Sequence, residues 1–376
     1  MPHATQTATE PATATGPIKA GILPVKPTTT AASAPVFEPL KPTGLLDKLY
    51  APTELTPVIG TQFDNVDLSK LIEEGDAEVF RELAILIHRR NVVFFRSQSR
   101  ALSNIELKTL ASRLSLRALY PNHPNVGEFG ALHIHPTEKH GEDDEISPIT
   151  AVALKRSRKE GSALASRGWH TDITFEPVPS DIAILNVWEI PPSGGGDTLW
   201  ASAYEAYDRL TPAYQKFVEG LTAVHSGAHF HKVAERRGIP LHTGVRGHPL
   251  NAGPELEAVH PVVRVNPVTG WKGLFVNPVF TRRIVELNQD ESETVLKYLF
   301  SLFTENHDLA VRFKWDKNAV ALWSNTSSLH NVTLDYDGTN RTGHRAVSLG
   351  ERPYFDAAQG RSRRADLGLG SWFEDQ

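Results

Sequence analysis

The chain has 376 residues, 40% of them hydrophobic and 22% charged, which is typical of a globular protein with one large or two ordinary domains. Its formal net charge of −5 gives no electrostatic footprint for nucleic acid, and no apolar run approaches the length of a membrane span. Cysteine is absent, which excludes disulfides and thiolate metal sites. A metal would need histidine, carboxylate or water ligands, which suit Fe(II), Mn or Zn.

The N-terminal segment, residues 1–45, is rich in Ala, Thr and Pro and has few large apolar side chains. Such a composition buries too little surface to offset chain entropy, so we expect the segment to be disordered. Residues 46–376 are expected to form a single domain. Neither end of the chain resembles a secretory, mitochondrial or peroxisomal targeting signal, which favours a cytoplasmic location.

The first folded stretch predicts two helices around one buried strand. Asp76–Arg89 places its apolar residues on one helical face, and Ser103–Leu114 begins with a serine that can cap a helix. Between them, Asn91–Arg96 contains a continuous apolar run, which is typical of a buried strand.

From about Leu132 onward the pattern changes to short apolar runs separated by turn residues. Strands are predicted at Ile182–Val187, Asp197–Trp200, Val262–Val265, Gly273–Val276, Ala319–Trp323 and Arg345–Leu349. Helices are predicted between them at Ser202–Leu210, Thr211–Gly220 and Asp290–Thr304. Together these elements predict a mainly β protein, a barrel or jelly roll with flanking helices.

The charged, serine-rich stretch Arg156–Arg167 comes directly before Trp169 and His170. It has little hydrophobic periodicity and therefore predicts a loop. A mobile loop over a metal site and a solvated surface loop are equally compatible with its composition.

A His-x-Asp motif, His170 to Asp172, is the first candidate for metal binding. On an extended strand, residues i and i+2 point to the same face, so both side chains could reach one ion. His330 follows the predicted strand Ala319–Trp323 in a Ser/Thr-rich turn, from which its imidazole could reach a barrel mouth. Two histidines and one carboxylate can form a facial triad that binds Fe(II) and leaves three positions open for a cosubstrate and O₂.

Two arginines, Arg341 and Arg345, follow His330 by 11 and 15 residues. Their spacing leads into the last predicted strand, so both could face inward on one wall. A buried arginine needs an anionic partner, and its planar guanidinium suits carboxylate or sulfonate. The alternative is a pair of surface arginines in a basic tail.

Several ordered motifs resemble the taurine dioxygenase-like family of Fe(II)/2-oxoglutarate-dependent dioxygenases, most closely its fungal sulfonate dioxygenases. The resemblance covers about Thr56 to Phe355. Its motifs are Leu132–Pro136, Trp169–Phe175, Gly195–Trp200, His260–Arg264, Leu274–Asn277, Phe280–Val285 and the spacing from His330 to Arg341 and Arg345.

The resemblance implies a double-stranded β-helix, which is a jelly-roll barrel, and an Fe(II)/2-oxoglutarate-dependent dioxygenase. It assigns the iron to His170, Asp172 and His330. It assigns Thr198 and Arg341 to the distal carboxylate of 2-oxoglutarate. With O₂, the cosubstrate would be converted to succinate and CO₂ while a small anionic substrate is oxidised, a sulfonate or sulfate ester being favoured.

The resemblance also assigns Arg345 to the anionic end of the substrate, and His135 and Phe280 to the substrate pocket. The chain departs from the family around this pocket. Ser166 stands where the taurine enzyme has Asn, Glu138 where it has Tyr, and Phe230-His231 where it has a Ser-Phe pair. Ser324–Thr326 replaces a frequent Asp-Asn-Arg motif. These changes affect the choice of substrate more than the reaction class.

Three alternatives remain at this point. The same iron chemistry could hydroxylate, desaturate or cyclise an amino or carboxylic acid in secondary metabolism. The jelly roll could be a non-enzymatic metal-binding module, or a cupin-type Zn or Mn hydrolase. A homo-oligomer is also open, because Trp372-Phe373 could dock on a neighbouring subunit or cover the outside of its own barrel.

Overall fold

The computed structural model describes residues 36–123, 131–137, 143–151, 164–336 and 340–373. Most of the segment predicted to be disordered, residues 1–45, lies outside these ranges. Within them, Phe37 is 4% exposed and packs with Val265 and Tyr354, so ordered packing begins before the predicted boundary. Most of the loop predicted at Arg156–Arg167 also lies outside the described residues, and its end contributes to a 3-10 turn at Ala165–Gly168.

The largest sheet has seven strands in the order β1-β2-β3-β13-β5-β15-β4. Its strands are β1 Thr53–Glu54, β2 Thr61–Phe63, β3 Val92–Phe95, β4 Ile146–Thr150, β5 Ser180–Glu189, β13 Val320–Ser324 and β15 Thr342–Leu349. β2 and β3 are parallel, and the other neighbours are antiparallel. Both faces of β3 are buried, which explains its unbroken apolar sequence.

A three-stranded antiparallel sheet in the order β12-β6-β14 faces the large one. Its strands are β6 Thr198–Ser202, β12 Ala310–Phe313 and β14 Ser328–Val332. Aromatic side chains fill the space between the sheets: the ring of Phe94 stacks on Phe313 at 4.1 Å and meets Trp200 at 5.2 Å. The described strands do not close into one hydrogen-bonded barrel. They form the two packed faces of a jelly roll, which confirms the predicted fold class.

Two smaller sheets complete the β-structure in the described ranges. One has the order β11-β7-β8, and the other pairs β9 with β10. Their strands are β7 Thr222–Ser226, β8 Glu257–Pro261, β9 Val263–Val265, β10 Lys272–Leu274 and β11 Thr281–Ile284.

Helices cover both outer faces of the jelly roll. One group precedes the sheets in the chain: α1 Leu45–Tyr50, α2 Leu68–Glu74, α3 Ala77–Arg90, α4 Asn104–Leu114 and α5 Leu116–Leu119. The later helices are α6 Ala203–Asp208, α7 Pro212–Val218, α8 His229–Arg237, α9 Gln289–Thr304 and α10 Arg363–Asp366, with a further 3-10 turn at His307–Leu309. Apolar residues of α1–α4 pack on the outside of the large sheet. Those of α6, α7 and α9 pack on the sheet β12-β6-β14.

The predicted helices and strands all occur, with boundaries shifted by up to three residues. Local capping signals explain the agreement for α3 and α4. Asp76 accepts from the first turn of α3, and Ser103 forms a capping box with Glu106. Several short strands, such as β12 and β14, were not predicted, because their sequences carry no strong alternation.

The aromatic residue near the C-terminus, Trp372, packs against its own chain. Its Nε1 donates to Glu205 Oε1 at 3.0 Å, and the guanidinium groups of Arg209 and Arg364 lie 4.8 and 4.6 Å from its ring. This agrees with a role in covering the chain's own surface, while the oligomeric state stays a prediction. None of the described helices has the length and apolar character that a membrane crossing requires.

Candidate metal centre and substrate pocket

The two histidines of the candidate triad are brought together by a short backbone bridge. His170 N–H donates to His330 O at 3.0 Å, and His330 N–H donates to His170 O at 2.7 Å. Beyond this bridge the chain does not continue as a strand: a turn begins at Asp172, and Ile173 has a positive φ of 50°. The extended strand that was assumed for His170 to Asp172 therefore does not form. His330 lies within β14 and not in a turn, so that expectation is wrong as well.

The turn places the three candidate ligands around one point. Nε2 of His170 and Nε2 of His330 each lie 3.8 Å from Asp172 Oδ1, and one ligand atom from each residue lies within 4.8 Å of the others. His170 Nδ1 lies 2.8 Å from Gly168 O and donates to it, which leaves the lone pair on Nε2.

The electrostatics of these groups suit a divalent cation. Burial lowers the pKa of His170, and burial together with His170 lowers the pKa of His330 to about 3, so both imidazoles are neutral near pH 7. Burial opposes ionisation of Asp172, but Arg345 and His330 outweigh it and lower the pKa of the carboxyl to about 2. Two neutral imidazoles and one carboxylate are the donor set of an Fe(II) facial triad, so the residues present fit this metal.

Two further side chains hold Asp172. Arg345 Nη1 donates to Asp172 Oδ1 at 2.8 Å, and Asn325 Oδ1 accepts from the backbone N–H of Asp172 at 3.2 Å. Asn325 Nδ2 donates to Ser180 Oγ at 2.6 Å, which fixes the orientation of the amide. In the sequence, Asn325 stands out only as part of a changed motif, and its contact with Asp172 was not predicted. Its position directly after the buried β13 was the available signal.

Thr198 and Arg341 were predicted to bind 2-oxoglutarate, and both lie next to Trp315. Trp315 Nε1 donates to Thr198 Oγ1 at 3.1 Å, and the Arg341 guanidinium lies 6.0 Å from the Trp315 ring. Arg341 Nε donates to Gly196 O at 2.9 Å. Arg341 is 2% exposed, burial lowers its pKa, and it forms no ion pair with any described carboxylate. A buried cation of this kind is suited to an anionic ligand. Trp315 was missed from sequence.

Aromatic rings form a continuous cluster beside His170. The ring of Phe280 lies 6.2 Å from His170 and 5.3 Å from Phe175. Phe230 meets Phe175 at 5.4 Å and His135 at 4.8 Å. The predicted pocket residues His135, Phe230 and Phe280 therefore lie together beside the histidines.

Other predicted pocket residues lie elsewhere. His231 is exposed on α8, whereas its neighbour His229 faces Phe280 with ring centroids 5.6 Å apart. Burial, with smaller effects of Arg282 and His170, lowers the pKa of His229 to about 4. The aromatic cluster thus includes His229 and Phe230 and not His231, and a shift of one residue in the motif comparison would have found this pair. Ser166 is half-buried in the 3-10 turn before His170. Glu138 lies outside the described residues.

Comparisons with known proteins agree with this geometry. The chain matches the family model described as "Taurine catabolism dioxygenase TauD, TfdA family" over residues 51–347. It is 38% identical to the α-ketoglutarate-dependent dioxygenase btcD of Neocamarosporium betae, over 85% of this chain and 96% of that protein. It is 33% identical to the α-ketoglutarate-dependent sulfonate dioxygenase of Saccharomyces cerevisiae, over 81% of this chain and 68% of that protein.

Among solved structures, a taurine dioxygenase from Burkholderia xenovorans matches with a TM-score of 0.62 and 28% identity, over 81% of this chain and 90% of that chain. These relatives, with the His-Asp-His cluster, confirm the predicted enzyme class, an Fe(II)/2-oxoglutarate-dependent dioxygenase that uses Fe(II), 2-oxoglutarate and O₂. The alternatives of a non-enzymatic metal-binding module and a hydrolase are therefore not retained. The chain belongs to the TauD/TfdA family of taurine catabolism dioxygenases.

Proposed function

We propose that His170, Asp172 and His330 bind Fe(II), and that the enzyme oxidises a small organic anion, a sulfonate or sulfate ester being favoured. The observation that carries the proposal is the convergence of three ligand atoms within 4.8 Å of one another. When bound, the iron would couple decarboxylation of 2-oxoglutarate to oxidation of the substrate by O₂. The protein holds the ligands: the Gly168 carbonyl orients His170, and Asn325 orients Asp172.

The distal carboxylate of 2-oxoglutarate is assigned to Arg341 and Thr198. The guanidinium is buried without a carboxylate partner among the described residues, and a carboxylate can accept from it in bidentate geometry. The Thr198 hydroxyl already accepts from Trp315 and can donate its own proton to the same ligand. Burial strengthens both interactions, because the surroundings have a low effective dielectric constant.

The anionic end of the substrate is assigned to Arg345. Its Nη1 contacts Asp172, while its Nε is buried without a hydrogen-bond partner among the described groups. An oxyanion beside Arg345 would use such a free donor and lie next to the metal ligands. Phe280 and Phe230 would then contact the apolar body of the substrate and exclude water from it. Support for a sulfonate also comes from the similarity to the yeast sulfonate dioxygenase.

A second candidate keeps the iron chemistry but uses an amino or carboxylic acid. The observation in its favour is Arg345 itself, because a guanidinium binds carboxylate as readily as sulfonate. Hydroxylation, desaturation or cyclisation of such an acid would require the same ligand set.

Succinate formation from 2-oxoglutarate separates the two candidates. The assay uses a panel of sulfonates, sulfate esters, amino acids and carboxylic acids, with sulfite measured in parallel. We expect succinate to depend on a sulfonate or sulfate ester, and sulfite to appear with a sulfonate whose sulfur-bearing carbon is oxidised. Succinate coupled only to an amino or carboxylic acid would favour the second candidate.

The metal assignment is tested in the same assay with His330→Ala. Because this change removes one of three ligands, we expect succinate formation to be lost. His307→Ala, which changes an exposed histidine outside the pocket, serves as the matched control and should retain activity. Full activity in His330→Ala would refute the iron ligand set.

A further inference from the structure

A buried polar network lies behind the turn that follows β13, taken from the last strand residue Ser324 to Thr326. Ser324 Oγ and Thr326 Oγ1 are 2.7 Å apart, and Asn266 Nδ2 donates to Thr326 Oγ1 at 2.5 Å and to His88 Nδ1 at 3.1 Å. These four side chains are at most 2% exposed. The Asn266 amide has a definite orientation, because its Oδ1 accepts from two backbone N–H groups of the following loop at 2.9 and 3.1 Å.

Beyond His88 the network borders Asp181, without a hydrogen bond between the two side chains. Because Asn266 donates to Nδ1 of neutral His88, the ring proton lies on Nε2, which is 3.5 Å from Asp181 Oδ1. The backbone carbonyl of Asp181 accepts from the N–H of Asn325 at 2.6 Å. The turn is therefore held both by its backbone, through Asp181, and by its side chains, through His88 and Asn266.

The front of the same turn faces the metal centre. Asn325 accepts from the backbone N–H of Asp172, and its Nδ2 is held by Ser180 Oγ. The three residues of the turn thus divide their contacts. Ser324 and Thr326 bind the network behind, while Asn325 holds the carboxylate residue in front.

We infer that His88 and Asn266 are positioning residues for the metal centre. They hold the Ser324–Thr326 turn from behind, so that Asn325 keeps Asp172 in the geometry that binds a divalent cation. This inference rests on the proposed role of Asp172 as a metal ligand. Groups behind metal ligands typically change metal affinity or activity by ten- to a hundredfold when they are lost.

A role in packing alone has a different consequence. If His88 and Thr326 only fill space in the core, their replacement lowers stability but leaves the folded protein with unchanged metal affinity. Metal affinity of the folded, full-length chain therefore distinguishes positioning from packing. Mn(II) alone is a suitable probe, because electron paramagnetic resonance detects the free ion, and circular dichroism gives the folded fraction.

Two variants test the network from different sides. Thr326→Val keeps the shape of the side chain and removes its hydroxyl, and His88→Ala removes the imidazole. We expect each to weaken Mn(II) binding by about tenfold or more. His88→Asn, which retains an acceptor near the position of Nδ1, should recover most of the affinity. Thr326→Val keeps the test valid if His88→Ala does not fold.

Leu110→Ala is the matched control, since it opens a cavity at a fully buried residue of α4 without removing a polar contact of the turn. It should lower stability and keep wild-type Mn(II) affinity. Wild-type affinity in folded Thr326→Val and His88→Ala would overturn the positioning role. Wild-type affinity in His330→Ala would instead show that the proposed metal site is wrong, and the inference would fail with it.

Discussion

At the scale of single residues, burial determines which protonation state each group of the candidate site adopts. It lowers the pKa of His170 and His330 and keeps both neutral, whereas the charge of Arg345 keeps Asp172 ionised against the cost of burial. Burial also lowers the pKa of Arg341, yet an arginine stays charged in proteins. The candidate site therefore combines two neutral imidazoles and one carboxylate with a guanidinium, that of Arg341, which lacks a carboxylate partner among the described residues.

The buried guanidinium leads to a prediction for Arg341→Ala. Loss of one partner of a buried charge pair costs on the order of 2–5 kcal/mol, so we expect the KM for 2-oxoglutarate to rise by about thirtyfold or more. The measurement is succinate formation at varied 2-oxoglutarate concentration. Arg283→Ala, at an exposed position of β11, is the control and should leave this KM unchanged. An unchanged KM in Arg341→Ala would exclude the assigned role.

At the scale of elements, short connections place the ligands more than regular strands do. The turn after His170 directs Asp172 back to the histidines, and the glycine-rich loop before β6 lets Arg341 approach the backbone. Gly196 has a φ of 71°, and a Cβ added there would lie 2.8 Å from Arg341 Cδ. This position therefore requires glycine both for its backbone conformation and for the space it leaves.

Gly194 and Gly196, in the same loop, separate the requirement for a positive φ from the requirement for space beside Arg341. Gly196→Ala should displace Arg341 and raise the KM for 2-oxoglutarate by about tenfold, which corresponds to about 1.4 kcal/mol. Gly194 has a similar φ of 77° but no atom within 4 Å of an added Cβ, so Gly194→Ala reports the backbone strain alone. An equal effect of the two substitutions on KM would show that the contact with Arg341 is not responsible.

At the scale of the whole molecule, a buried ion pair joins distant segments around the pocket. Glu176 follows the Asp172 turn, and its carboxylate accepts from Arg246 Nη2 at 2.9 Å and from His133 Nε2 at 3.1 Å. Both partners are at most 5% exposed. His133 lies two residues from His135, which belongs to the aromatic cluster. The contact between His133 and Glu176 therefore connects the segment of His135 to the turn that begins at Asp172.

The pH dependence of stability tests this connection. Burial opposes ionisation of Glu176, but hydrogen bonds from His133 and Arg246 outweigh it and lower its pKa. A carboxyl with a lowered folded-state pKa stabilises the fold above its unfolded pKa of about 4.3, and this contribution is lost as the pH falls through the folded pKa. At neutral pH, Glu176→Gln should lower the free energy of unfolding by about 3 kcal/mol or more, because it leaves Arg246 buried without its counter-ion.

In thermal unfolding, the Tm difference between wild type and Glu176→Gln should therefore stay nearly constant down to the unfolded pKa and narrow as the pH falls further towards the folded pKa. Asp308→Asn is the control: Asp308 is 66% exposed in its pair with Arg209, and its loss should change Tm little. A Tm difference that stays constant over the pH range would contradict the role of Glu176.

Local sequence accounts for the helices, for the chemical type of the candidate metal ligands and for most residues of the proposed 2-oxoglutarate site. Caps such as Asp76 and Ser103 act within one helical turn, and the His-x-Asp motif with the spacing to His330 and Arg341 is visible in one dimension. The similarity to known dioxygenases also depends on ordered motifs along the chain. The fold could therefore be predicted from the sequence as well.

The residues that support these candidate ligands are visible only in the folded structure. Asn325 contacts Asp172, which is 153 residues away in the sequence, and His88 contacts Ser324, which is 236 residues away. The folded structure also shows that His229, and not His231, faces the aromatic cluster. Contacts of this range depend on how the sheets pack and where the turns direct the chain, and no local pattern of hydrophobicity or charge carries that information.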